Sequence, residues 1–180
     1  MTTKSNTRLF ERLLPSLMVL RDEALRVEQG FAEELSQIEP AYRASARNLL
    51  HYLGVRQHDI RNLQRDLASL GLSSLGVLEA HVMASLNAVV DVLGQLTGRE
   101  LGREPDAPVD FRTGPLLLRD HSRNLLGPEP NNRYVRIMVT MPSEAATQPE
   151  LVRDLLRAGM DVMRINCAHD DPDAWRAMVD

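Results

Sequence analysis

Arg157-Ala158-Gly159-Met160-Asp161-Val162-Met163-Arg164-Ile165-Asn166-Cys167-Ala168-His169-Asp170-Asp171 is the stretch from which the fold is read. It opens with a glycine suited to a helix C-terminus and continues as an extended run of alternating character. Successive side chains of a strand point to opposite faces. Val162, Arg164, Asn166 and Ala168 therefore share one face, and Met163, Ile165 and Cys167 share the other. The second set is apolar and suits packing beneath helices, with Cys167 read as a small core residue. The first set carries a cation and an amide, groups that are costly to bury without partners. Such groups late in a strand suggest a ligand site, and a self-satisfied polar layer is the alternative.

The flanks predict a strand–helix–strand unit. Tyr134-Val135-Arg136-Ile137-Met138-Val139-Thr140 is rich in strand-forming residues. Thr147-Gln148-Pro149-Glu150 has the pattern of a capping box with proline in the first turn. Leu151, Val152, Leu155 and Leu156 supply the helical apolar stripe, and Asp171-Pro172 starts a further helix. This order implies a parallel sheet with a right-handed crossover. Ligands in such folds sit at the C-terminal ends of strands, here Thr140 to Ser143 and Asn166 to His169.

The same residues carry a family likeness. Ile137-Met138-Val139-Thr140, followed by the run from Ala158 to His169, resembles the first two strands of pyruvate kinase. The second strand there typically reads Gly-Met-Asn-Val-Ala-Arg-Leu-Asn-Phe-Ser-His. The likeness covers residues 133–180, with Gly-Met, Arg, Asn and His in register. It implies that Arg164 contacts the phosphate of phosphoenolpyruvate, Asn166 helps hold a potassium ion, and His169 lies near the nucleotide, ADP or ATP. The long helical N-terminus looks like that of a pyruvate-kinase-like subgroup of plants and bacteria.

Three departures stand out. Ala168 replaces a serine whose hydroxyl also binds potassium in the family. Thr140-Met141-Pro142 replaces Thr-Ile-Gly-Pro. The family's catalytic lysine and its Glu and Asp ligands for Mg2+ belong to later strands, so no catalytic residue of that set is expected within this chain.

The chain has 180 residues, a formal net charge of −4 and 43% hydrophobic content, ordinary for a soluble cytoplasmic protein. Its sequence shows neither a membrane-spanning apolar run nor a signal-type core after Met1-Thr2-Thr3-Lys4. A single cysteine excludes an internal disulfide framework and a cysteine-based zinc cluster. Mild acidity without a basic cluster argues against nucleic acid as a principal partner.

Residues 7–98 read as a helical bundle. Phe10, Leu17, Ala24, Phe31 and Ile38 recur every seventh position with Leu13, Leu20 and Val27 between them, a heptad seam in which Pro15 marks a kink or start. Pro40 begins a second helix with Tyr42, Ala46, Leu49, Leu50 and Leu53 as its apolar face and Gly54 as its end. A third carries Ile60, Leu63, Leu67 and Leu70 and ends at Gly71; a fourth, capped by Ser73 or Ser74, runs from Leu75 to Leu96 before Gly98. His51, His58 and His81 lack the acidic partners of a metal-binding bundle and read as surface or edge residues. Residues 99–131, rich in proline and glycine, read as a linker with turns.

The predicted architecture is a mainly α N-terminal bundle, a linker, and at 132–180 the opening βαβ of a (β/α)8 TIM-type barrel, truncated. Two functions fit it. One is the N-terminal part of a pyruvate-kinase-like phosphotransferase of glycolysis; the other is a noncatalytic helical interaction or oligomerisation module with a vestigial barrel segment. A homo-oligomer is compatible with both.

Overall fold

The computed structural model describes residues 2–102, 104–133 and 135–180. Helices dominate, and the described strands form one two-stranded parallel sheet. The elements are α1 (Thr2–Gly30), α2 (Ala32–Gln37), α3 (Pro40–Arg56), α4 (Arg61–Ser69), α5 (Val82–Thr97), α6 (Thr113–Leu126), β1 (Met138–Thr140), α7 (Pro149–Arg157), β2 (Val162–Arg164) and α8 (Pro172–Val179). They fall into two compact units, Met1–Leu117 and Leu118–Asp180. Among the described residues no helix is long and apolar enough to cross a membrane.

In the first unit α1 packs along α3 and α5. Its heptad seam holds from Leu13 through Leu17, Leu20 and Ala24 to Val27, all buried. Pro15 neither starts nor breaks the helix but lies inside it. The seam stops at Gly30 because Phe31 leaves helical geometry to precede α2, which resets the phase and leaves its ring exposed.

α3 contradicts the sequence reading. Its predicted apolar face points outward, with Leu49 55% and Leu53 46% exposed, while Asn48 is 7% and His51 0% exposed. Gly54 does not end the helix; it is the contact with α1. A Cβ there would lie 2.8 Å from Ala24 Cα and 3.1 Å from the Glu23 carbonyl oxygen. Close approach at two small residues fixes the rotation of α3 and turns its polar side inward.

Specific partners meet most of that polar side, His51 Nδ1 excepted. Asn48 donates through Nδ2 to the Glu79 carbonyl at 2.6 Å and accepts through Oδ1 from Val82 N–H at 2.8 Å. It thus serves an otherwise orphaned donor in the first turn of α5, whose preceding residue, His81, supplies no side-chain cap. His51, expected at the surface, is buried with Nε2 on Glu28, and Arg47 Nε donates to the same carboxylate at 2.6 Å. Arg47 also reaches Asp106 at 3.0 Å. Burial pushes the imidazole below its ordinary range, although its link to Glu28 acts the other way.

Two helix boundaries also differ. α5 begins at Val82 rather than at Ser73 or Ser74, although Leu75 and Leu78 are buried as expected. The stretch read as a linker contains α6. Asp110 Oδ1 accepts from the N–H groups of Arg112 and Thr113 just before it. Pro115 sits in its first turn, where a missing N–H costs nothing.

The second unit has a small core of Met141, Ala145, Met160 and Met178, lined by Val139, Leu151, Val152, Leu155, Met163 and Ile165. The strands pair in register Met138 with Val162, Val139 with Met163 and Thr140 with Arg164. β1 is shorter than the predicted strand; Tyr134 lies outside the described residues, and Val135 and Ile137 are exposed. α7 ends as expected, with Gly159 at φ +104° and Met160 N–H bonded to the Leu155 carbonyl. The capping box does not form. Gln148 stands at the N-cap without a side-chain bond, and the Thr147 hydroxyl turns back to Glu144 O in the 3-10 turn Ser143–Ala146.

The orientation of α3 yields a direct comparison. Gly54→Ala should cost about 1–3 kcal/mol through backbone overlap, although alanine gains about 1 kcal/mol of helix propensity. Asn48→Ala should cost about 1–3 kcal/mol, chiefly by stranding the buried Val82 N–H. Leu53→Gln should stay within about 0.5 kcal/mol, as surface changes do. Thermal unfolding followed by circular dichroism ranks them, and a damaging Leu53→Gln beside a harmless Asn48→Ala would refute the orientation.

His51 gives a pH dependence. Its folded pKa lies below its unfolded value of 6.5, so the unfolded chain binds the proton first as pH falls. Its contribution is complete above the unfolded value and is lost on descent toward the folded one. The melting temperature should therefore be lower at about pH 5.5 than at about pH 7.5, with a flatter profile for His51→Gln. Equal slopes in the two proteins would remove His51 as the cause.

Candidate site at the C-terminal end of the parallel strands

β2 emerges from the Gly159 turn and is held at its start by a charged clamp. Arg133 Nη2 donates to the Gly159 carbonyl at 2.8 Å and pairs with Asp161. The Asp161 carboxylate also accepts from Ile137 N–H at 2.7 Å. The Arg133 hydrogen bond, and then the Ile137 N–H, hold that carboxyl below the usual range. This anchors the N-terminal end of the strand pair.

At that other end the ladder runs one step past β1, with Met141 N–H bonded to the Arg164 carbonyl at 2.9 Å. Met163 and Ile165 pack on the core cluster. By strand alternation Arg164 leaves on the opposite face. It is exposed, and its guanidinium makes no hydrogen bond or ion pair among the described residues. A planar fork in this position can receive two oxygens of a phosphate or carboxylate.

Beyond Ile165 the chain turns. Asn166 is half-buried, its backbone oxygen accepts from His169 N–H at 3.1 Å, and its side-chain oxygen accepts from Ala168 N–H at 3.3 Å. The turn ends the alternation, so Cys167 is exposed and not the core residue its place in the pattern suggested. His169 is exposed, and its carbonyl accepts from Trp175 Nε1 at 2.7 Å. Arg164, Asn166 and His169 are thus gathered at one end of one sheet.

The potassium ion implied by the family likeness finds a poor set of donors here. Asn166 offers one amide oxygen already shared with an N–H, and Ala168 offers a methyl where a hydroxyl would be needed. Among the described residues no group of three or more His, Cys, Asp or Glu side chains could hold a metal ion. The end carries the Arg164 guanidinium together with the Asp170 and Asp171 carboxylates, which are engaged by Ser143 and by the start of α8.

Sequence reasoning placed Ser143 at this end but missed its partner, and it missed the parts that Asp170 and Trp175 play in the turn. Ser143 Oγ donates to Asp170 Oδ1 at 2.6 Å, joining the loop after β1 to the loop after β2. Asp170 itself has φ +62°, a left-handed conformation in which Asp and Asn are enriched. Trp175 fastens His169 from α8. The aspartate beside a further capping aspartate was the available signal; Asp171 does cap α8, accepting from Asp173 and Ala174 N–H. No family model, curated protein or solved structure matches this chain.

Proposed function

We propose that residues 132–180 are the opening βαβ of a (β/α)8 barrel of the pyruvate kinase type. The chain is then the N-terminal part of a cytoplasmic phosphotransferase acting on phosphoenolpyruvate and ADP. The observation that carries this is Arg164: an exposed guanidinium at the C-terminal end of a parallel strand, on the face opposite the core cluster. The exposed Val135, Ile137 and Met138 of the β1 segment agree with a sheet that further strands would cover.

In this reading Arg164 binds the phosphate of phosphoenolpyruvate through two charge-assisted hydrogen bonds and orients it. His169 lies on the nucleotide side, and Asn166 shapes the turn between them. Phosphoryl transfer relies on positioning and charge stabilisation. Magnesium and potassium enter only through the family, and no step here runs through either. Since the family's lysine and magnesium carboxylates have no counterpart in this chain, it is expected to bind phosphate without turning substrate over.

A second reading has its own observation. Tyr42, Leu49 and Leu53 recur at helical spacing on the exposed side of α3, as in a noncatalytic helical interaction or oligomerisation module.

Trp175, the single tryptophan, donates to the His169 carbonyl and reports on this end of the sheet. Titration with phosphoenolpyruvate, and separately with inorganic phosphate, should change its fluorescence saturably at millimolar ligand. Arg164→Ala should abolish the response. Arg164→Lys keeps the charge and loses the fork, at a cost of about 1.5–3 kcal/mol, or roughly ten- to hundredfold in affinity. No saturable response from the parent chain, or an undiminished one from Arg164→Ala, would overturn the phosphate reading.

A further inference from the structure

We propose that Ser143 and Asp170 are positioning residues, a latch between the two loops that fixes the Asn166–His169 turn relative to Arg164. In its ligand-binding consequence the inference rests on the phosphate reading above. Among the described residues, the Ser143–Asp170 bond at 2.6 Å is the side-chain hydrogen bond that joins these loops. It acts at a residue that is not conformationally relaxed, since Asp170 is held at φ +62° without being glycine. Backbone strain of this kind persists where surrounding contacts over-determine it. Here those contacts converge from three directions: Ser143 on the Asp170 side chain, Trp175 on the His169 carbonyl, and the Asp171 cap on α8.

The direction of the effect follows. Phosphate recognition by a fork needs the guanidinium and the neighbouring turn in fixed relation, and loosened supporting contacts degrade binding without removing any ligand contact. Ser143 commits its hydroxyl to Asp170, so neither residue is assigned a ligand contact. They act through the turn between Arg164 and His169.

Glycine at position 170 separates this role from a structural one. Asp170→Gly relieves the left-handed conformation while deleting the acceptor. A merely structural residue would show affinity and stability moving together. The latch instead predicts that Asp170→Gly melts at an unchanged or higher temperature but binds phosphoenolpyruvate about tenfold more weakly. Ser143→Ala should show the same affinity loss, and Ser143→Thr, which keeps the hydroxyl, should bind as the parent does.

The ligand-free protein supplies a second readout. Iodide quenching of Trp175 should rise in Ser143→Ala and Asp170→Gly and stay at the parental level in Ser143→Thr. Parental quenching in all three variants would overturn the latch whatever the ligand results. A parent chain that ignores phosphoenolpyruvate would sink the phosphate reading alone, because quenching would still decide the latch. Parental affinity in Asp170→Gly would overturn the positioning role.

Discussion

The first unit depends on the approach of α3 to α1 at Gly54 and Ala24. With backbone atoms within about 3 Å of where a Cβ would stand, neither helix can rotate about its axis without separating. The burial of Asn48 and His51 and the exposure of Leu49 and Leu53 follow from that one contact. Hydrophobic burial would favour the opposite rotation, since two leucines contribute more transfer energy than an asparagine and a histidine. The observed one is tolerable because, among the described residues, the inward polar groups of α3 all meet a partner except His51 Nδ1. Asn48 spans two carbonyl and amide groups of the α5 entry, and His51 meets Glu28 through one nitrogen, its Nδ1 remaining unpartnered.

This explains where the sequence was legible. The α1 seam could be read because its buried face is built of large apolar residues at regular spacing, which is what periodicity detects. α3 is buried mainly through small and polar residues, with Val55 its one fully buried branched side chain among the described residues, so the same rule selected the wrong side. The partner of His51 lies 23 residues away and that of Asn48 31 and 34 residues away, beyond the reach of local pattern. α6 went unread for a different reason. Gly114 and Pro115 look like a turn, and only the Asp110 bonds that precede them show that they open a helix.

In the second unit the stop at Gly159 and the cap at Asp171 were legible because each acts within a few residues of itself. The expected gathering of Arg164, Asn166 and His169 needed only the strand and its end. The expected core position of Cys167 assumed that alternation continues past Ile165, and the Asn166 turn ends it. The Ser143–Asp170 bond could not be read at all. It joins residues 27 apart and depends on a backbone conformation that no residue pattern encodes uniquely.

The composition of the second core has a chemical consequence. Three of its four buried side chains are methionines, Met141, Met160 and Met178. Thioethers fill irregular space well, but oxidation to the sulfoxide makes each polar and chiral, incompatible with the packing it came from. While the unit is closed the sulfurs are shielded; once modified, the core cannot re-form as it was. Peroxide would therefore act on this unit as a trap, registering each opening of the core as a covalent change that lasts until the sulfoxide is reduced.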